Sequence, residues 1–170
     1  MTVTFRKLHP HVGAEVSAID LREVHDRATL DHLRAGTDAH GVLVFRNQPF
    51  TDVEQLAFAE RFDGTLHVKP GASALAANRF GNDAIADISN VDNSGKILKA
   101  DDRKRMYSLG NRLWHTDASF QDPAGRYSTL SARVIPEVNA DTEFADMRAA
   151  YDTLDAATKQ KLEGLRVHHT

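Results

Sequence analysis

The 170-residue sequence predicts an α+β fold built around an antiparallel sheet. Three observations favour this class: helical patterns near both ends, short apolar runs typical of strands between them, and the composition of a globular protein. Hydrophobic residues make up 41% of the chain and charged residues 26%, which argues against a disordered or fibrous protein. The length is sufficient for one domain with a hydrophobic core.

Charge and cysteine content exclude several classes of function. The net charge of −3, with histidine neutral, predicts no basic face, so nucleic acid is not an expected partner. The absence of cysteine excludes disulfides, thiolate metal sites and cysteine nucleophiles. The first residues lack an apolar signal core, and the longest apolar run, GVLVF, is too short to cross a bilayer. We therefore expect a cytoplasmic protein without a membrane partner; a homo-oligomer stays open.

The first predicted elements are short extended segments within residues 3–21, followed by a helix over about 28–39. Leu30 and Leu33 should face inwards on this helix, and Gly41 lies beyond its end. The run GVLVFRN, residues 41–47, predicts a buried strand because it is continuously apolar and rich in β-branched residues.

A second helix is predicted to begin after Thr51, which forms a capping box with Glu54. Gly64 marks its expected end. Its predicted apolar stripe consists of Val53, Leu56, Ala59 and Phe62.

The remaining chain predicts a long loop and then a return to order. Residues 65–110 should be mostly loop, with short strands near ADISNV. The segments YSTLSARVIP, 127–136, and TEFADM, 142–147, predict two strands. Asp146 should cap a short helix through Tyr151, and Asp155 another through about Leu165.

The candidate chemistry lies in NRLWHTDASF, residues 111–120. On a strand, residues two apart point to the same face, so His115 and Asp117 are expected side by side. Their nitrogen and oxygen can take adjacent positions around a metal, and a second histidine would complete the 2-His-1-carboxylate triad of non-haem Fe(II) oxygenases. The H-x-D spacing alone is a weak signal, because it also fits a surface pair that caps a turn.

The sequence around this pair resembles the taurine/2,4-dichlorophenoxyacetate dioxygenase family of Fe(II)- and 2-oxoglutarate-dependent oxygenases, and more closely its 2,4-dichlorophenoxyacetate branch. The similarity covers nearly the whole chain and is weakest over about residues 70–84. It is carried by LHPHVGAEVSAIDLRE, GVLVFRNQP, LAFAERF, ADISNVDNSGK, NRLWHTDASF, DTEFADMRAAYDTL and EGLRVHH, in that order.

This resemblance implies a fold and an activity. The fold would be a double-stranded β-helix, or jelly roll, with flanking helices. The activity would be hydroxylation of an aryloxyacetate-type carboxylate such as 2,4-dichlorophenoxyacetate, with Fe(II) as metal, 2-oxoglutarate as cosubstrate and O₂ as oxidant. Hydroxylation beside the ether oxygen leads to cleavage into a phenol and a 2-oxoacid.

The resemblance also implies roles for single residues. His115 and Asp117 match the family's first two iron ligands, and Thr142 matches the threonine that hydrogen-bonds a carboxylate of 2-oxoglutarate. Lys69 matches a position that reaches the substrate's anionic group, and Lys96 matches a second lysine of the aryloxyacetate branch, although lysines in loops are commonly just solvated charges. Asn111 matches a substrate-pocket position of the taurine branch.

Two departures from the family pattern fall near these residues. Asn139-Ala140 stand where the family usually carries two glycines, which changes the backbone angles open to that turn. Phe62-Asp63-Gly64 stand where the family has Phe-Gly followed by Pro or Glu.

The family's third iron ligand and its 2-oxoglutarate-binding arginine are expected beyond Thr170. Residues 1–170 are therefore interpreted as the N-terminal part of a single oxygenase domain, truncated on its C-terminal side. His168 and His169 are expected to be ordinary residues near a helix end rather than ligands. The chain alone should leave apolar faces uncovered and be inactive or poorly soluble.

Three alternatives stay open. The substrate could be a sulfonate or alkyl sulfate such as taurine; the chain could belong to a non-catalytic jelly-roll module that binds metal; or His115 and Asp117 could simply cap a turn.

Overall fold

The computed structural model of the chain describes residues 3–68, 79–117, 119, 121–138 and 140–166. The chain divides into two compact units. The first unit combines residues 1–49 with residues 131–170, and the second comprises residues 50–130. The expectation of a single oxygenase domain stays a prediction.

The first unit contains a three-stranded sheet in the order β1-β2-β3. The strands are β1 (Phe5–Lys7), β2 (Ala14–Val16) and β3 (Leu43–Val44). β1 and β2 pair antiparallel, whereas β2 and β3 pair parallel. The prediction of an antiparallel sheet is therefore wrong for β3, because the helix between β2 and β3 brings the chain back in the same direction.

The predicted strand over 41–47 is also shorter and less buried than expected. Only Leu43 and Val44 form ladder pairs, and both are half-buried. The backbone leaves the extended conformation at Asn47, whose φ of 54° lies in the left-handed region, so the strand cannot continue to the predicted end.

The first helix, α1 (Arg27–His40), begins at Asp26, whose side chain accepts a hydrogen bond from the amide of Thr29. Leu30 and Leu33 are buried and Gly41 follows its last residue, which confirms the predicted helix. Gly36 is also buried, with the ring of Phe5 lying directly over it. A Cβ at this position would overlap the far end of that ring, so a larger residue would require the Phe5 ring to shift from its place on α1.

Two short helices follow late in the chain, α4 (Met147–Asp152) and α5 (Ala156–Leu162). Asp146 and Asp155 cap them as predicted, each accepting a backbone amide in the first turn. The predicted extension of α5 to Leu165 is wrong. Glu163 leaves the helical conformation and Gly164 has a φ of 77°, so the chain turns before that residue. A 3-10 helix, Leu21–Glu23, precedes α1.

The second unit is anchored by α2 (Asp52–Asp63). Its capping box between Thr51 and Glu54 and its end at Gly64 are confirmed. The predicted apolar stripe is partly wrong, because Val53 is 76% exposed while Phe58, which the stripe omitted, is buried with Phe62. The two rings stack with their centroids 5.5 Å apart. The buried face of α2 is therefore the one that carries Phe58 and Phe62, and Val53 lies outside it.

The segment between residues 79 and 112 contains more helix than predicted. The sequence predicts mostly loop here, yet Asp102 caps α3 (Arg103–Ser108), which leads into a 3-10 helix, Leu109–Arg112. The strands expected near ADISNV reduce to one isolated antiparallel bridge between Val91 and Ile97.

The two late strands predicted at 127–136 and 142–147 are wrong. Both segments are described, and neither forms a ladder; Met147 instead begins α4. Alternating apolar residues give a strand only when a neighbouring strand pairs with the backbone, and none of the described residues does so here. Several of their apolar side chains are exposed as a result: Leu130, Val134, Ile135 and Phe144.

Candidate metal centre

The site begins where the helical stretch formed by α3 and the following 3-10 helix ends. Leu113 is extended, and residues 114–116 follow it without helix or strand pairing. The Nδ1 atom of His115 lies 2.7 Å from the carbonyl oxygen of Leu113. Because a carbonyl oxygen can only accept a hydrogen bond, Nδ1 carries the proton. The other ring nitrogen, Nε2, is thereby left as the atom that can bind a metal.

Asp117 faces this nitrogen. Its Oδ1 atom lies 3.5 Å from Nε2 of His115, and its Oδ2 atom accepts a hydrogen bond of 3.0 Å from the Ser128 hydroxyl. The predicted strand at this position is wrong, since the described residues offer it no pairing partner. The two side chains nevertheless lie close together, although residues 114–116 form no strand and Asp117 lies in a bend.

The two facing atoms fit a shared cation. A neutral Nε2 and a carboxylate oxygen are both acceptors, so they repel each other unless a proton or a metal ion lies between them. Bonds of about 2.1 Å from one ion place two ligand atoms about 3.0 Å apart at a right angle and about 3.4 Å apart at a tetrahedral angle. The observed 3.5 Å requires little adjustment. Both side chains are accessible, at 49% and 65%, so an ion can reach them.

The described residues supply two ligands and no more. Among them, no group of three histidine, cysteine, aspartate or glutamate side chains is placed to hold a metal ion. A histidine nitrogen and a carboxylate oxygen together form two-thirds of a facial triad. These donor atoms suit Fe(II) or Mn(II), whereas soft metals prefer thiolate ligands.

The remaining predicted site residues lie in several places. Lys96 and Asn111 belong to the second unit, as do His115 and Asp117, and both are exposed. Thr142 belongs to the first unit and is exposed, four residues before the cap of α4. Lys69 lies outside the described residues, as do Asn139, His168 and His169.

Lys96 stands on a turn that is held by Asp92. One carboxylate oxygen of Asp92 accepts hydrogen bonds from the Ser94 hydroxyl at 2.7 Å, the Ser94 amide at 2.8 Å and the Lys96 amide at 2.9 Å. These donors, led by the Ser94 hydroxyl, hold the pKa of Asp92 below its usual value. The backbone of Lys96 is thus fixed while its exposed ammonium can turn towards an anion.

A charge network that sequence reasoning missed fixes α3. The Oδ2 atom of Asp87 forms ion pairs with Nε of Arg79 at 3.1 Å and with Nζ of Lys104, in α3, at 3.3 Å. The Asp87 side chain is only 6% exposed. Burial raises the pKa of Asp87, but the nearby Ser89 hydroxyl and the hydrogen bonds from Arg79 and Lys104 outweigh that effect and leave the pKa lowered. Lys104 also donates to the carbonyl of Val91 at 3.1 Å, which ties α3 to the preceding loop.

Sequence reasoning also missed two groups that orient the ligands, the Leu113 carbonyl and the Ser128 hydroxyl. The carbonyl leaves no mark in the sequence, because every residue has one. Ser128 is 11 residues from Asp117, and none of the described residues between them lies in a helix or strand, so no regular local structure predicts their contact.

Comparison with known proteins shows the family of the chain. The chain belongs to the family described as taurine catabolism dioxygenase TauD, TfdA family, which matches residues 4–170.

Individual relatives share long stretches of the chain. An alpha-ketoglutarate-dependent 2,4-dichlorophenoxyacetate dioxygenase of Cupriavidus pinatubonensis is 44% identical, over 99% of this chain and 58% of the relative. An (S)-phenoxypropionate/alpha-ketoglutarate-dioxygenase of Sphingobium herbicidovorans is 35% identical, over 93% of this chain and 50% of the relative. The chain therefore spans between one half and three-fifths of the length of these relatives.

A solved structure shares the fold. The crystal structure of AAD-2 in complex with Mn(II) and N-oxalylglycine matches with a TM-score of 0.80 and 39% identity, over 96% of this chain and 54% of that chain. None of the described helices of the present chain is long and apolar enough to span a membrane.

Proposed function

We propose that the full-length protein is an Fe(II)- and 2-oxoglutarate-dependent dioxygenase in which His115 and Asp117 supply two of the iron ligands. The observation that carries this proposal is the pair of facing atoms, Nε2 and Oδ1, 3.5 Å apart, with the opposite atom of each group already hydrogen-bonded. The match to the AAD-2 structure, which holds Mn(II) and N-oxalylglycine, supports it.

The third ligand comes from outside the described residues, which contain no third group within reach of the pair. The same view makes residues 1–170 the N-terminal part of a single jelly-roll oxygenase domain. The exposed apolar residues of the segment after Leu130 support this, because a second sheet would cover them.

Thr142 orients 2-oxoglutarate in this proposal. Its hydroxyl can donate one hydrogen bond, and its exposed position in the segment before α4 leaves it accessible to a carboxylate. Bound iron would allow O₂ to act as the oxidant, with one of its oxygen atoms entering succinate as 2-oxoglutarate loses CO₂ and the other entering the substrate. The contribution of the chain is to bind and orient the reactants.

The substrate is a small aryloxyacetate-type carboxylate. Lys96 can meet its carboxylate as a point charge from a fixed turn, and Asn111 can hydrogen-bond it from the 3-10 helix that precedes His115. Lys69 has the same proposed role. Holding the carboxylate presents the adjacent CH₂ to the metal, and its hydroxylation gives a hemiacetal that separates into a phenol and a 2-oxoacid.

A binding and turnover experiment tests the proposal on full-length protein. His115→Ala and Asp117→Ala should each weaken Fe(II) binding by more than about 100-fold, since loss of a direct ligand exceeds the 10–100-fold effect of outer groups. Addition of 2-oxoglutarate to anaerobic Fe(II) protein should give a visible charge-transfer band only when both are present. His25→Ala, which removes an exposed histidine of the first unit, serves as the matched control.

The outcomes separate the alternatives. Fe(II) binding that is unchanged in Asp117→Ala would contradict the metal centre. It would favour the alternative in which His115 and Asp117 only cap a turn. Metal binding without a 2-oxoglutarate-dependent band would indicate a binding module. Turnover of taurine or an alkyl sulfate instead of phenoxyacetate would keep the dioxygenase and overturn the substrate class.

A further inference from the structure

The two oxygens of Asp117 have different surroundings. Oδ2 accepts the hydrogen bond from Ser128, whereas Oδ1 points to Nε2 of His115. The Asp117 side chain is largely exposed, and rotation about its last bond, which exchanges the two oxygens, is intrinsically soft. The Ser128 hydrogen bond is therefore the described interaction that distinguishes one oxygen from the other.

Ser128 is held in place through both of its neighbours by α2. The ring of Tyr127 packs edge-on against the buried ring of Phe62, with centroids 4.9 Å apart. On the other side, the Gln55 side chain donates a long hydrogen bond of 3.5 Å to the carbonyl of Thr129. A capped helix thus supports a serine that reaches across to the ligand loop, which is how outer groups usually fix metal ligands.

We propose that Ser128 is a positioning residue that keeps Asp117 a one-oxygen ligand. This inference rests on the proposed function. With Oδ2 engaged by the hydroxyl, only Oδ1 is offered to the metal. Without that bond both oxygens are free, and a carboxylate can then bind through two atoms.

The number of oxygens matters because a facial triad works by leaving three positions open. A cosubstrate that binds through two atoms fills two of them, and O₂ needs the third. A carboxylate that takes a second position competes with one of these molecules. The consequence of losing Ser128 is therefore weaker cosubstrate binding on a metal that is itself still held.

The test uses full-length protein saturated with Mn(II) and measures the affinity for N-oxalylglycine. Ser128→Ala should retain bound Mn(II) but bind N-oxalylglycine about tenfold more weakly, a typical effect of removing an outer partner. Its Mn(II) EPR spectrum, which reports the ligand set, should differ from wild type. Ser128→Thr, which keeps a hydroxyl, should restore both properties.

Ser119→Ala is the matched control, because the Ser119 hydroxyl accepts from Thr116 at 2.7 Å in the same loop. It should leave N-oxalylglycine affinity and the EPR spectrum unchanged. Wild-type affinity for N-oxalylglycine in Ser128→Ala would overturn the role of Ser128 alone. A wild-type protein that binds no Mn(II), or that binds it equally after His115→Ala, would overturn the proposed function as well.

Discussion

Arg148 joins two elements of the first unit with one guanidinium group. Its Nε and Nη2 atoms donate to the two carboxylate oxygens of Asp146, at 3.0 and 2.8 Å. Its Nη1 atom donates to the carbonyl of Asp38 in the last turn of α1. Carbonyls at a helix C-terminus lack hydrogen-bond partners within the helix, and the partial negative charge there favours a cation. Arg148 supplies both the hydrogen bond and the positive charge. The same ion pair holds the pKa of Asp146 at about 2.

Asp146→Asn should lower the free energy of unfolding by about 1 kcal/mol at neutral pH, because asparagine can still cap α4 but cannot pair with Arg148. A lowered pKa means that this stabilisation is complete above the ordinary value of 3.8 and is lost as the pH falls towards about 2. Urea unfolding at a series of pH values measures it: the difference between wild type and variant should shrink over that interval. Asp101→Asn, at an exposed position, should show no such trend.

At the residue scale, local spacing was informative and distant partners were not. His115 and Asp117 are two positions apart in the sequence, so their approach could be predicted from local spacing even though the strand expected there does not form. Ser128 and Arg148 act on residues that the chain reaches only after folding, and each is one of many similar polar residues. Predicting them requires knowing which segments meet.

At the element scale, helix ends were predictable because their signals are local. Asp26, Thr51, Asp146 and Asp155 all cap helices through a side-chain oxygen. The sequence did not predict α3, because its six residues are too few to show a periodic apolar face. The helix is held instead by the ion pair of Lys104 with the buried side chain of Asp87, and a charged pair gives no apolar pattern. Strands depend on pairing partners elsewhere in the chain. The alternation of apolar and polar residues over 127–136 therefore predicted a strand that does not form.

The Asp87 network predicts how α3 is stabilised. Asp87→Ala should lower the free energy of unfolding by about 1–2 kcal/mol, which is less than for a fully buried pair because Arg79 and Lys104 are partly exposed. Amide hydrogen exchange in residues 103–108 should accelerate, since Lys104 loses its main anchor. Asp83→Ala, at an exposed position in the same loop, is the control. Unchanged exchange in α3 after Asp87→Ala would contradict this role.

At the scale of the whole molecule, each compact unit contains some of the proposed functional residues. The second unit contains His115 and Asp117, and the first contains Thr142. The fold class could be predicted as α+β, whereas the mixed direction of the sheet could not, because it depends on how α1 returns the chain. Many large apolar residues are exposed among the described residues, Tyr107, Trp114, Val134 and Ile135 among them, as expected for uncovered apolar faces.

The central claim is that His115 and Asp117 hold one metal ion through Nε2 and Oδ1. A crystal structure of the full-length protein with Mn(II) and N-oxalylglycine tests it most directly. We predict both atoms within about 2.0–2.3 Å of the same ion, with a further histidine from outside the described residues as third ligand. An ion bound elsewhere, or one that contacts neither side chain, would contradict the account.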